Sequence, residues 1–171
     1  MKNWVKLSAA AVMVFFCSTA LSQAAGQYFF FENPLLGKPA PEFKLDTVKG
    51  RNESLTAFRD GKPAVIFFWA TWCPHCREQL RGLNKEVEVF KEKEIKIALV
   101  DLGETAKQVQ SYIDKNKIDM DVFLDKDSAI AEKYGVVGVP TFIFVDENGV
   151  VQGVEHFLPD DYENYLTGNK G

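Results

Sequence analysis

An unbroken apolar run, Val65 to Trp69 (VIFFW), leads through Ala70, Thr71 and Trp72 into Cys73-Pro74-His75-Cys76. No polar residue alternates with the apolar ones, so the run reads as a strand covered on both faces, as in the middle of an α/β sheet. The segment after the cysteines has a different period. Leu80, Leu83, Val87 and Phe90 recur every three or four positions with Arg, Lys and Glu between them, which predicts an amphipathic helix from 74 to about 92. A buried strand that hands over to a helix at a cysteine pair puts the pair where open α/β sheets place their chemistry.

The two periods go on alternating. Ile95 to Leu102 is a second buried strand, and Val109, Tyr112 and Ile113 mark a helix. Val122 to Leu124 is a short strand, and Ile130 with Tyr134 marks a short helix closed by Gly135. Thr141 to Val145 and Val150 to Val154 flank DENG, a hairpin turn, and a last helix is expected over Asp160 to Leu166. Upstream, EFKLD alternates as an edge strand does, and the Gly and Asn of VKGRNESL make a turn into a short second strand. The expected fold is α/β, a three-layer sandwich with a central mixed β-sheet flanked by helices.

The N-terminus is a separate matter. Lys2 and Lys6 precede the charge-free run Leu7 to Phe16, and small residues come after it at Ser18, Ala20, Ser22 and Ala24, the order of a secretory signal peptide. Residues 1–24 are assigned to that segment, with a cut after Ser22 as the alternative. A retained N-terminal membrane anchor is the rival, but the apolar part falls short of the roughly 20 residues that a spanning helix needs. Lipidation at Cys17 is disfavoured by Phe15 and Phe16 before it. Residues 25–36, with the aromatic run Tyr28 to Phe31, form an N-terminal extension expected to cover a sheet edge, and 37–171 form the folded domain.

Losing Lys2 and Lys6 takes the formal charge from −4 to −6. An acidic product has no electrostatic footprint for nucleic acid. Export to a periplasm, or to the outer side of another bacterial envelope, permits disulfides. Of the three cysteines, Cys73 and Cys76 alone remain in the mature chain.

A CxxC can be half a metal site, a staple or a redox reagent. The staple reading is weak, because so small a loop removes little unfolded-state entropy. A closed zinc site wants four ligands, and no second CxxC or spaced His pair exists, so no metal is assigned. A copper site built from Cys73, Cys76 and His156 is the alternative from another class, against the plainer reading of His156 as a surface residue.

Redox chemistry fits the spacing. Cys73 at a helix N-terminus faces unpaired N–H groups and the positive end of the dipole, which lowers its thiol pKa. Cys76, one turn on, is within disulfide reach and more buried, so Cys73 attacks and Cys76 resolves. The Pro74-His75 dipeptide tunes the pair. An imidazole beside Cys73 stabilises the thiolate and therefore the reduced form, by about 30 mV for each pKa unit.

These residues are familiar as a set. FWATWCPHC at 68–76 with YGVVGVPTFIFVDENG at 134–149 resembles the thioredoxin superfamily. GKPAPEFKLD at 37–46, LTAFRDGKPAVIFFWATWC at 55–73 and IALVDLGE at 97–104 resemble its exported TlpA/ResA-like branch, with an AhpC/TSA-Redoxin-type domain. The resemblance runs from Gly37 to Leu166. It implies a thioredoxin-like sandwich, a redox-active Cys73-Cys76 disulfide and a cis peptide at Val139-Pro140 packed beside it. It also implies that the Val139 backbone pairs with an extended substrate segment and that Trp69 and Trp72 are the active-site tryptophans, with Trp72 facing substrate; the plainer reading of Trp69, core packing, is preferred.

Two departures from the family pattern matter. Thioredoxin proper has a buried acid where this chain has Phe67, and some members of the exported branch have a glutamate where this chain has Gln79, with Glu78 pointing elsewhere. The proton of Cys76 is left to water, to backbone, or to Glu104 acting as a relay from its neighbouring loop. The PH dipeptide resembles that of DsbA-like oxidases, but the stretch between Cys76 and Val139 has no room for their inserted helical domain. A peroxidase is excluded because Ala70 stands where the peroxiredoxin motif wants Thr.

The expected function is an exported thiol-disulfide oxidoreductase that reduces disulfides of envelope proteins, with cytochrome c maturation as one setting. A disulfide-donating oxidase or isomerase and a copper metallochaperone are the alternatives. Implied partners are substrate proteins with disulfides or thiols and a membrane thiol electron donor of the DsbD/CcdA type. A monomer without a cofactor is expected.

Overall fold

The computed structural model describes residues 33–167. The segment 1–24, Cys17, the run Tyr28 to Phe31 and most of the 25–36 extension lie outside the described residues, as do residues 168–171.

Among the described residues, seven strands and five helices succeed one another in the order β1 (Lys44–Thr47), β2 (Asn52–Ser54), α1 (Leu55–Arg59), β3 (Ala64–Trp69), α2 (Pro74–Glu92), β4 (Lys96–Leu102), α3 (Ala106–Asn116), β5 (Asp121–Asp125), α4 (Ala129–Lys133), β6 (Thr141–Val145), β7 (Val151–Glu155) and α5 (Glu163–Leu166). They make one mixed sheet in the order β2-β1-β5-β4-β3-β6-β7. β3, β4 and β5 are parallel and joined through helices, while the remaining pairings are antiparallel.

The apolar run of β3 is buried along its whole length because both faces of the sheet are covered. Val65, Phe67 and Trp69 pack with Leu80, Leu83 and Phe90 of α2 and with Val109 and Ile113 of α3. Ala64, Ile66 and Phe68 point the other way, towards Phe58 of α1 and Ile130 and Ala131 of α4. The three layers are thus two cores sharing a sheet, and each fully buried Leu or Phe contributes about 1.5–3 kcal/mol.

Two local readings need correction. EFKLD is not at the edge: β1 lies between β2 and β5. Its alternation records one solvent-facing side, with Lys44 and Asp46 exposed, and says nothing of how many neighbours the strand has. The last helix begins at Glu163 and not at Asp160. Around its start, Tyr162, Asn164 and Tyr165 bond three residues back, to Pro159, Asp161 and Tyr162, a tighter winding than an α-helix.

At the other end of the sheet, Gly37 and Ala40 donate to the Val151 and Gly149 carbonyls, each at 2.8 Å, so the chain entering the domain shields the start of β7. The DENG turn is held from inside. Arg59 Nη2 donates to the Asp146 carbonyl at 2.5 Å and to that of Glu147 at 3.1 Å, and Gly149 takes φ 82°, where a side chain would be strained.

Candidate active site

β3 ends at Trp69, and the chain turns through Ala70, Thr71 and Trp72 before α2 starts. Cys73 is the N-cap, with φ −80° and ψ 115°, and Pro74 sits next in the first turn, where its missing N–H costs nothing. The Cys76 N–H points at Cys73 Sγ, 3.1 Å away. Cys73 and Cys76 are joined as a disulfide with Cα atoms 5.2 Å apart. Cys73 keeps 4% of its surface exposed and Cys76 keeps none, so the outer sulfur is the one that a second protein can reach.

The turn before Cys73 is clamped from two sides. Arg77 Nη1 donates to the Thr71 carbonyl at 3.0 Å. Thr71 gives both its N–H and its hydroxyl to the Glu104 carboxylate, each at 2.6 Å. Glu104 therefore reaches the turn before Cys73 with both oxygens bonded to Thr71.

Val139-Pro140 is cis, and the Val139 carbonyl oxygen lies 3.7 Å from Cys73 Sγ. The Pro140 carbonyl accepts a hydrogen bond from His156 Nδ1 at 2.9 Å, and Gln79 Oε1 accepts from the Leu158 N–H at 3.0 Å. The segment after β7 is thereby tied to both the cis-proline turn and α2. Trp72 is 65% exposed, Val137 96% and Phe157 55%, and all three flank these tied segments, which makes the rim around Cys73 apolar. Trp69 is fully buried and packs against Tyr112 with ring centroids 5.6 Å apart.

His75 is exposed in the first turn of α2, and the bond to Cys73 Sγ comes from backbone instead. His156 turns Nδ1 to a carbonyl, and among the described residues no group of three His, Cys, Asp or Glu side chains is placed to hold a metal ion.

Asp101 escaped the reading of the sequence. It is fully buried near the end of β4, opposite Trp69 in the register of β3 and β4. Its oxygens make no full hydrogen bond, and the nearby Glu104 backbone N–H only partly offsets their burial. Burial, reinforced by the neighbouring Glu104 carboxyl, pushes its pKa up to about 8. The one available signal was an acid inside an otherwise apolar strand, IALVDL.

Residues 36–154, a span that holds both cysteines and Pro140, match the AhpC/TSA family. The chain belongs to the AhpC/TSA family. Its relatives include the thiol-disulfide oxidoreductase ResA of Geobacillus thermodenitrificans, 28% identical over 156 residues that make up 90% of this chain and 89% of that protein. ResA of Bacillus cereus is 32% identical over 142 residues, 81% of this chain and 82% of its own. Among solved structures, a putative thiol:disulfide interchange protein DsbE from Chlorobium tepidum superposes with a TM-score of 0.69 at 26% identity, covering 80% of this chain and 98% of that one. The thioredoxin domain of a Bacteroides vulgatus thiol-disulfide oxidoreductase gives 0.67 at 30% identity, covering 75% and 93%. This AhpC/TSA chain has the thioredoxin fold and is a thiol-disulfide oxidoreductase.

Proposed function

We propose that the chain works outside the cytoplasm, reducing disulfides of envelope proteins through Cys73 and Cys76. The observation that carries this reading is the asymmetry of the pair: Cys73 is the N-cap and rim sulfur, 3.7 Å from the Val139 carbonyl, and Cys76 is wholly buried behind it. Cys73 thiolate attacks the substrate disulfide, one substrate sulfur leaves, and Cys76 then displaces the other from the mixed disulfide. Val139 offers backbone to an extended substrate segment, and Trp72, Val137 and Phe157 offer it apolar contact.

The sequence of residues 1–24 supports export, and no helix among the described residues is long and apolar enough to cross a membrane. Returning the pair to the dithiol then requires an electron donor, for which a membrane thiol protein of the DsbD/CcdA type is the partner proposed. Apocytochromes c are one substrate class, and a monomer suffices for the chemistry. Reduction is favoured over disulfide donation because His75 is exposed to solvent and the hydrogen bond to Cys73 Sγ comes from the Cys76 backbone.

Insulin reduction by residues 25–171 tests the mechanism. Cys73→Ser is expected to abolish turnover and Cys76→Ser to accumulate mixed disulfides; a chain lacking both sulfurs that still reduced insulin would overturn it. A reduction potential near the roughly −270 mV of thioredoxin supports the reductive direction, whereas one near the roughly −120 mV of DsbA transfers the chain to the oxidase reading.

A further inference from the structure

We propose that Asp101, paired with Glu104, stores the proton that Cys76 gives up and takes back in each cycle. The inference rests on the exchange reaction proposed above, with Cys76 as the resolving sulfur.

A fully buried carboxyl without a full hydrogen bond is costly unless it is neutral. Asp101 faces a second carboxyl, Glu104, whose two oxygens are fixed by Thr71. Two neighbouring carboxyls resist ionising together, and Asp101, pushed up to about 8, is the one that is protonated at neutral pH. The position lies on the sheet face that carries the two cysteines. Asp101 pairs in register with Trp69, and Trp69 belongs to the buried cluster that contains Cys73 and Cys76.

Of the groups around it, the Trp69 indole N–H is buried without a partner and is no proton acceptor, and the others are engaged. Across β5 the register partner is the apolar Leu124, and Asp125 beyond it accepts the N–H groups of Ile130 and Ala131 on the opposite face. From α2, Arg77 is bound to the Thr71 carbonyl, and from α3, Tyr112 lies on the Trp69 ring. On β3 itself, Phe67 stacks on Phe142 with centroids 4.2 Å apart, so that position offers no acid.

The proton balance closes. When a donor thiolate attacks Cys73 Sγ, the Cys73–Cys76 bond breaks and its electron pair goes to Cys76 Sγ, which takes the proton of Asp101. In the second half, Asp101 carboxylate removes that proton, directly or over one bridging water. Cys76 thiolate then bonds to Cys73 Sγ and the substrate leaves as a thiolate.

The test reads the two steps separately. The reduced chain is mixed with the chromogenic disulfide of thionitrobenzoate: the first thionitrobenzoate released reports attack by Cys73, the second reports resolution by Cys76. The second phase is expected to show an inflection near pH 8 in the native chain. In Asp101→Asn that inflection should vanish and resolution near pH 7 should slow by at least about tenfold, while the first phase changes much less. An Asp101→Asn chain that resolves at the native rate with the native pH profile overturns the proposal. If the native chain releases no second thionitrobenzoate, the exchange reading itself fails. Infrared difference spectra of the native chain, oxidised minus reduced, need no variant: a change in the C=O stretch of a protonated carboxyl is expected, and its absence counts against Asp101.

Discussion

Glu104 takes both donors of Thr71, the backbone N–H and the hydroxyl, each at 2.6 Å. Thr71 stands two residues before Cys73, so a side chain from the loop after β4 sets the path by which β3 delivers its cysteine. Charge-assisted bonds of this kind contribute about 1.5–3 kcal/mol each. Losing both bonds, Glu104→Ala should therefore cost about 3–6 kcal/mol in urea unfolding and lower kcat/KM for insulin. Thr71→Val keeps the N–H bond and should lose about half as much. Equal losses from the two changes would mean that the hydroxyl carries the whole interaction.

Asp101 should leave a mark on stability as well as on rate. Its folded-state pKa lies above the usual 3.8, at about 8. Between those values the folded chain holds a proton that the unfolded chain has released, so Asp101 lowers stability progressively as pH rises through that window. Above about pH 8 both states are ionised and the loss is complete. Asp101→Asn, which keeps a donor towards Glu104, should flatten this dependence and be more stable than the native chain at pH 9 by about 1–3 kcal/mol. Parallel stability-pH curves for the two chains would show that Asp101 ionises freely.

Gly153 on β7 has no room for a side chain. A Cβ there would stand 2.1 Å from the Tyr165 ring, which stacks on Phe144 with centroids 4.9 Å apart. Gly153→Ala should cost about 1–3 kcal/mol by pushing that ring off its stack. Thermal unfolding of Gly153→Ala, Tyr165→Ala and the double variant would show strong non-additivity, and simple addition would contradict the close contact.

His75 is the residue on which the direction of exchange depends. Its exposure limits its leverage, since an exposed charge is screened. Replacing it with Ala should make the potential more negative by no more than about 30 mV, the equivalent of one pKa unit. A larger displacement, measured against glutathione, would mean that the imidazole meets Cys73 Sγ in the reduced chain.

Much of the fold was legible in the sequence. The run VIFFW and the three- and four-residue period after it located β3 and α2 because burial on both sides of a sheet and on one side of a helix leaves different residue periods. Asp101 was not legible, since an acid at the end of an apolar strand looks the same whether it faces solvent or a second carboxyl. That depends on register across β3 and β4 and on a loop folding back to Thr71, neither of which has a local signature. Gln79 was read as a missing acid; its contact is with the Leu158 N–H, a bond between residues far apart in the chain. His156 likewise gained its role from the turn it meets and not from its neighbours in sequence.

The unequal burial of the two sulfurs makes the reduced pair countable. A small alkylating reagent added to the native dithiol should tag Cys73 and stop, because Cys76 offers it no surface. Tagging of Cys76 must wait until the start of α2 lifts from the sheet, so the rate of that second mark times the opening of this end of the molecule.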